Sequence, residues 1–135
     1  MDASAVIELL GLAPHPEGGF FRQTFADDNS TAIYYLIEGT AEWSKWHRVL
    51  DRTEMWHAYA GAALELEMNT GAQGSGDGTV RVGNDLAAGD RPQAMVPAGT
   101  WQRARSTGPW SLVGCTVSPP FTFDAFELRG DESSG

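Results

Sequence analysis

Sixteen glycines and seven prolines cut this 135-residue chain into short pieces. That punctuation leaves no room for a long helix after the first dozen residues and points to strands and turns, the pattern of a sandwich or barrel. The spacing predicts strands at 19–25, 31–38, 42–49, 54–60, 63–68, 79–83, 93–97, 100–106, 110–118 and 122–128. Two of them declare their faces: Leu64, Leu66 and Met68 alternate with Glu65 and Glu67, and Val80 and Val82 flank Arg81, so each has one buried side and one wet side. A single helix is expected over residues 3–10, where ASAVIELL follows Asp2 and Ser4 as candidate N-caps and runs into Gly11 as its stop. Residues 69–78 read as a polar, glycine-rich hairpin loop, mobile for lack of apolar anchors, and 131–135 as a frayed tail. One all-β domain over residues 1–130 is the expectation.

Charge narrows the partners. Nine Lys and Arg stand against 18 Asp and Glu, a net charge of −9, and no basic run offers the phosphate-neutralising stripe that nucleic acid or an anionic membrane requires. The opening MDASAVIELLGL lacks a basic leader, and no apolar run nears the roughly 20 residues of a membrane span. A soluble cytoplasmic protein is expected. The one cysteine, Cys115, permits no internal disulfide; lying in the apolar run SLVGCTV, it reads as an inert core thiol.

The stretch SKWHRVLDRTEMWHAYAG, residues 44–61, holds two of the three histidines and three aromatic neighbours of them. Counted from His47, the order is His, any residue, Val49, four residues, Glu54, six residues, Gly61. This resembles the first motif of the cupin superfamily, with Val49 where a second histidine is expected. GDRPQAMVPAGTWQR resembles the second motif, with Gln102 where a further histidine is expected. With PHPEGGFFRQT, TAIYYLI and SLVGCTVSPPFTFDAFEL, the blocks are similar to a family of small bacterial and fungal cupins of unknown function over roughly residues 5–128. The resemblance implies an all-β, RmlC-like double-stranded β-helix (jelly roll), similar to sugar-nucleotide epimerases of the rhamnose pathway, preceded by a short helix and usually assembled as a homodimer.

A cupin metal centre uses three imidazoles and a carboxylate. Here only His47 and Glu54 match, so no cofactor is favoured, and a divalent transition metal held by His47, Glu54 and Gln102 is the alternative. Acid–base chemistry needs a histidine beside a carboxylate, with tyrosine as a further acid. His47, Glu54 and His57 are the catalytic candidates, although in a regular strand His57 lies three residues from Glu54 and on the opposite face. Arg22, Trp46, Trp56, Tyr59, Trp101 and Gln102 are the candidate ligand-binding residues, the indoles as stacking surfaces for sugar-like rings and Arg22 as an anion or hydroxyl contact. For Arg22 the competing reading is an ion pair with Glu17 that locks the turn at residues 14–19; for His47 and Glu54 it is a mutual hydrogen bond. The leading function is binding of a carbohydrate-like or other polyhydroxylated small molecule, with or without epimerase or isomerase chemistry. A metal-dependent dioxygenase, lyase or isomerase, and a non-catalytic assembly or regulatory module, are the alternatives.

Overall fold

The computed structural model describes residues 1–39, 42–69 and 78–129. Two antiparallel sheets face each other as a jelly roll. Strands β1 (Ala13–Pro14), β2 (Phe20–Ala26), β3 (Thr31–Glu38), β5 (Thr53–Gly61), β8 (Gln93–Val96) and β10 (Trp110–Ser118) form one sheet, in the order β1-β2-β3-β10-β5-β8. Strands β4 (His47–Val49), β6 (Leu64–Asn69), β7 (Gly78–Val82), β9 (Trp101–Ser106) and β11 (Phe126–Leu128) form the other, in the order β11-β4-β9-β6-β7. Helix α1 (Ala3–Leu10) starts at Asp2, whose side chain accepts a hydrogen bond from the Ala5 N–H at 2.9 Å, and stops at left-handed Gly11. Of the expected loop, residues 70–77 lie outside the described residues, as does the expected tail 131–135.

The two-residue period sorts the chain. Leu64 and Leu66 are buried between the sheets with Tyr35, Trp56, Val82, Ala104 and Val113, while Glu65 and Glu67 sit outside, ion-paired to Arg105 and Arg103 at 2.7 Å each. Two expected strands are shorter than their patterns. Residues 42–46 are irregular because Ser44 and Lys45 pair elsewhere: Ser44 N–H donates to the Ala104 carbonyl, and Lys45 N–H to the Glu17 carbonyl. Residues 123–125 form a 3₁₀ turn, leaving only 126–128 in the sheet.

The outer face of the smaller sheet carries an alternating stack of guanidinium groups and indoles. Arg105 and Arg103 lie 4.3 and 4.4 Å from the Trp43 ring, Arg103 also 4.6 Å from Trp46, and Arg129 and Arg48 each 4.6 Å from Trp101. Each such contact contributes roughly 0.5–1 kcal/mol at an exposed site. Trp43→Ala removes two of them and the packing of two arginine stems, so urea denaturation should show a loss of about 1–2 kcal/mol. Glu65→Gln, which deletes one exposed ion pair, should cost under about 1 kcal/mol.

Candidate functional site

Polar inward-facing residues gather at one end of the barrel. On β5, alternation turns Glu54 and Trp56 inward; on β4 and β9, His47 and Gln102 sit directly opposite each other. A fourth contribution comes from the hairpin loop between β1 and β2. Its turn closes with the His15 N–H donating to the Gly19 carbonyl and the Gly18 N–H to the His15 carbonyl, both at 2.9 Å. Gly19 has φ +78°, and a Cβ there would stand 2.7 Å from the Leu36 carbonyl oxygen, so only glycine lets the loop fold this tightly. The turn points His15 and Glu17 into the barrel, and the Lys45 N–H donating to the Glu17 carbonyl at 2.9 Å ties it down.

The result is a cavity of about 60 Å³ lined by His15, Glu17, Tyr35, His47, Glu54, Trp56 and Cys115, and by Phe21, Ile33, Phe121, Phe123 and Phe126 among its apolar wall. It reaches solvent beside Phe123, which is 56% exposed. Thr31 accepts from the Phe121 N–H at 3.0 Å and pins this phenylalanine-rich rim to β3.

Two hydrogen-bonded chains organise the polar end. In the first, His47 Nδ1 faces the Lys45 carbonyl oxygen at 3.0 Å. A carbonyl only accepts, so Nδ1 carries a proton. His47 Nε2 then meets Glu17 Oε1 at 3.2 Å, and that contact holds a proton from one partner or the other. The Tyr35 hydroxyl lies 3.0 Å from Glu17 Oε2 and 2.6 Å from the Gly18 carbonyl. Burial and the nearby Glu54 charge push the Glu17 carboxyl well above the ordinary range, while burial pushes the His47 imidazole down to about 4. Both shifts disfavour the separated ion pair, so the two groups share one proton as a neutral unit.

In the second chain the Trp56 indole N–H donates to Gln102 Oε1 at 2.9 Å, and Gln102 Nε2 donates to Glu54 Oε1 at 2.6 Å. Because indole only donates, it fixes which way the amide points. Burial raises Glu54 to about 7, against the lowering effect of its hydrogen bonds from Gln102 and the Cys115 thiol.

Several expectations change. His47 and Glu54 line one cavity, but their direct partners are Glu17 and Gln102, not each other. Glu17, expected to pair with Arg22, is 5% exposed and belongs to the site; Arg22 lies outside, donating to the Leu10 carbonyl at 3.2 Å. His57 is on the opposite face of β5, against Thr116 at 3.1 Å and stacked on Tyr59. The one register shift between β5 and β10 falls beyond it, near Leu112 and Val113, so regular alternation keeps His57 and the half-exposed Tyr59 outside. Trp46 and Trp101 belong to the outer arginine stack; of the expected indoles, Trp56 lines the cavity. Gln102 is buried and placed behind Glu54.

The donor set does not fit a three-imidazole cupin metal centre. Val49 offers no ligand, Gln102 Oε1 is engaged by Trp56, and among the described residues no group of three or more His, Cys, Asp or Glu is arranged to hold a metal ion. Among them, too, no helix is long and apolar enough to cross a membrane.

The chain overlays a protein of Shewanella oneidensis with a TM-score of 0.85 and 39% identity, covering 99% of this chain and 88% of that one. A hypothetical protein from Leishmania major gives 0.86 at 27% identity, over 99% and 90%. Pac13 of Streptomyces, a nucleoside dehydratase, gives 0.63 at 14% identity over 85% and 81%, a likeness of fold alone. No curated protein matches the sequence. The family profile described as Cupin superfamily (DUF985) matches residues 4–129, nearly the whole length, and the chain belongs to this Cupin_5 family.

Proposed function

We propose that the barrel binds a small carbohydrate-like or otherwise polyhydroxylated molecule and performs proton-transfer chemistry on it, as an epimerase, isomerase or dehydratase does. The observation that carries this reading is the His47 and Glu17 contact at 3.2 Å in the same cavity as Glu54. Two titratable centres whose environments push them apart make an acid and a base. Glu54, raised to about 7, is poised to take a proton near neutral pH. The proton shared by Glu17 and His47 is available to a developing alkoxide or leaving hydroxyl. Gln102 acts as a positioning residue through Glu54. Pac13 is described as a nucleoside dehydratase, and loss of water from a hydroxylated ring is a reaction of this class.

The test is proton NMR in D₂O with a panel of pentoses, hexoses, nucleosides, sugar phosphates and nucleotide sugars, joined to thermal unfolding of the same mixtures. The wild type should raise its melting temperature with at least one member and exchange a ring C–H or eliminate water from it. Glu54→Gln should retain the thermal shift and lose the chemistry by at least a hundredfold. A panel with no thermal shift and no exchange refutes the reading.

A further inference from the structure

His15 leaves a hydrogen-bond donor open. Its Nδ1 accepts from the Glu17 backbone N–H at 3.1 Å, which places the proton of the neutral ring on Nε2. The side chain is 6% exposed and lines the cavity. Its ring is held edge-on by Phe21, Tyr35 and Phe126, with centroids 4.6, 5.6 and 5.8 Å away. Among the described residues nothing accepts from Nε2. The donor therefore stays accessible at the cavity wall, where an oxygen entering the cavity can accept its hydrogen bond.

Charge sorts the oxygens. None of the nine Lys and Arg side chains lines the cavity, whereas two carboxyl groups do. Burial holds both His15 and His47 at about 4, so neither imidazole is a cation at neutral pH. A carboxylate or phosphate drawn into this end would be desolvated with no counter-charge. An ammonium has no lone pair for the His15 N–H. A cavity of about 60 Å³, at roughly 10–15 Å³ per water-sized position, encloses about four to six heavy atoms.

We infer that the barrel is selective for an uncharged ligand, a small ring or chain whose carbonyl or hydroxyl oxygen accepts the hydrogen bond of His15 Nε2–H. This rests on reading the cavity as a ligand site. It excludes sugar phosphates and nucleotide sugars as ligands whose charged end enters the barrel, and assigns His15 as the group that recognises the oxygen.

Three molecules of one shape make the test: cyclopentanone, cyclopentanecarboxylate and cyclopentylamine, titrated at pH 7 by calorimetry and by ¹⁵N NMR of the histidine rings. Cyclopentanone should bind at least tenfold tighter than either charged analogue and should shift the His15 Nε2–H resonance. His15→Asn keeps a side-chain acceptor for the Glu17 N–H but lacks the reach of Nε2. It should retain the wild-type unfolding midpoint within a few degrees and weaken cyclopentanone at least tenfold. A charged analogue that binds as tightly as the ketone, an unmoved Nε2–H resonance in the saturated wild type, or unaltered affinity in His15→Asn would overturn the inference while leaving the cavity a binding site. If none of the three binds while a member of the sugar and nucleoside panel still raises the melting temperature, the inference falls and the proposed function stands; if that panel also fails, the proposed function falls as well.

Discussion

Glu17→Gln is expected to leave the barrel folded, to remove the decline of its stability in mild alkali and to abolish proton transfer. In the folded chain Glu17 and His47 hold one proton between them, because Nδ1 of His47 is committed to the Lys45 carbonyl and Nε2 faces Glu17 Oε1. In the unfolded chain they titrate near their ordinary values, 4.5 and 6.5. Above about pH 6.5 the unfolded pair is empty while the folded pair keeps its proton, so stability falls as pH rises. The slope is about a factor of ten in the folding constant per pH unit. Between 4.5 and 6.5 both states hold one proton and the pair contributes no slope. Below 4.5 the unfolded pair holds two, and stability falls with further acid.

The other buried groups do not mask this. Glu54 has its folded value raised to about 7, so its contribution is fully present below 4.5 and lost as pH rises to 7. His15 has its folded value lowered to about 4, so its contribution is present above 6.5 and lost as pH falls toward 4. The two slopes have opposite signs and offset each other between 4.5 and 6.5. Above pH 7 the Glu17 and His47 pair therefore dominates, and urea unfolding of the wild type should show the folding constant falling as pH rises. In Glu17→Gln the amide donates to His47 Nε2 and accepts from Tyr35 without titrating. The curve should be flat over the same window and the NMR exchange reaction absent. A wild-type curve that is already flat, or a variant that keeps the slope, contradicts the shared proton.

Much of this site is legible in the sequence through alternation alone. Glu54 and Trp56 are two apart and share the inner face, and His57 is excluded by the same count. The same rule, applied to the neighbours of His47 and Gln102, places Trp46 and Trp101 outside, since each precedes an inward residue by one position. Proximity to the motif in sequence does not bring a side chain into the cavity. Glu17 is a different matter. It lies in a turn, where no period applies, and turns ordinarily expose their charged residues. Its burial depends on the Lys45 N–H, on Tyr35 and on His47, partners 18 or more residues away. The expected strands 42–49 and 122–128 run past β4 and β11 because residues 42–46 and 122–125 have strand-like composition. Their backbone hydrogen bonds go to Glu17, Ala104 and a local turn instead, and composition carries no record of such partners.

Trp56→Ala should be among the most damaging single changes in the chain. The side chain is 1% exposed, packs against Tyr35 with ring centroids 5.8 Å apart, and sits in the principal core cluster. Truncating a buried indole costs about 3–5 kcal/mol, and here it also strips Gln102 Oε1 of its donor. Trp56→Phe separates the two effects. It retains an aromatic ring in the core but has no N–H, so the Gln102 amide is free to turn over and present Oε1 to Glu54. Two oxygens can face each other only with a proton between them, which raises Glu54 above its wild-type value of about 7. The pH midpoint of the catalysed exchange, or the Glu54 carboxyl resonance followed by ¹³C NMR, should therefore move upward by about one unit in Trp56→Phe. An unchanged or lowered midpoint would show that the indole fills space but does not set the orientation of Gln102, and the chain from Trp56 to Glu54 would lose its role in tuning the base.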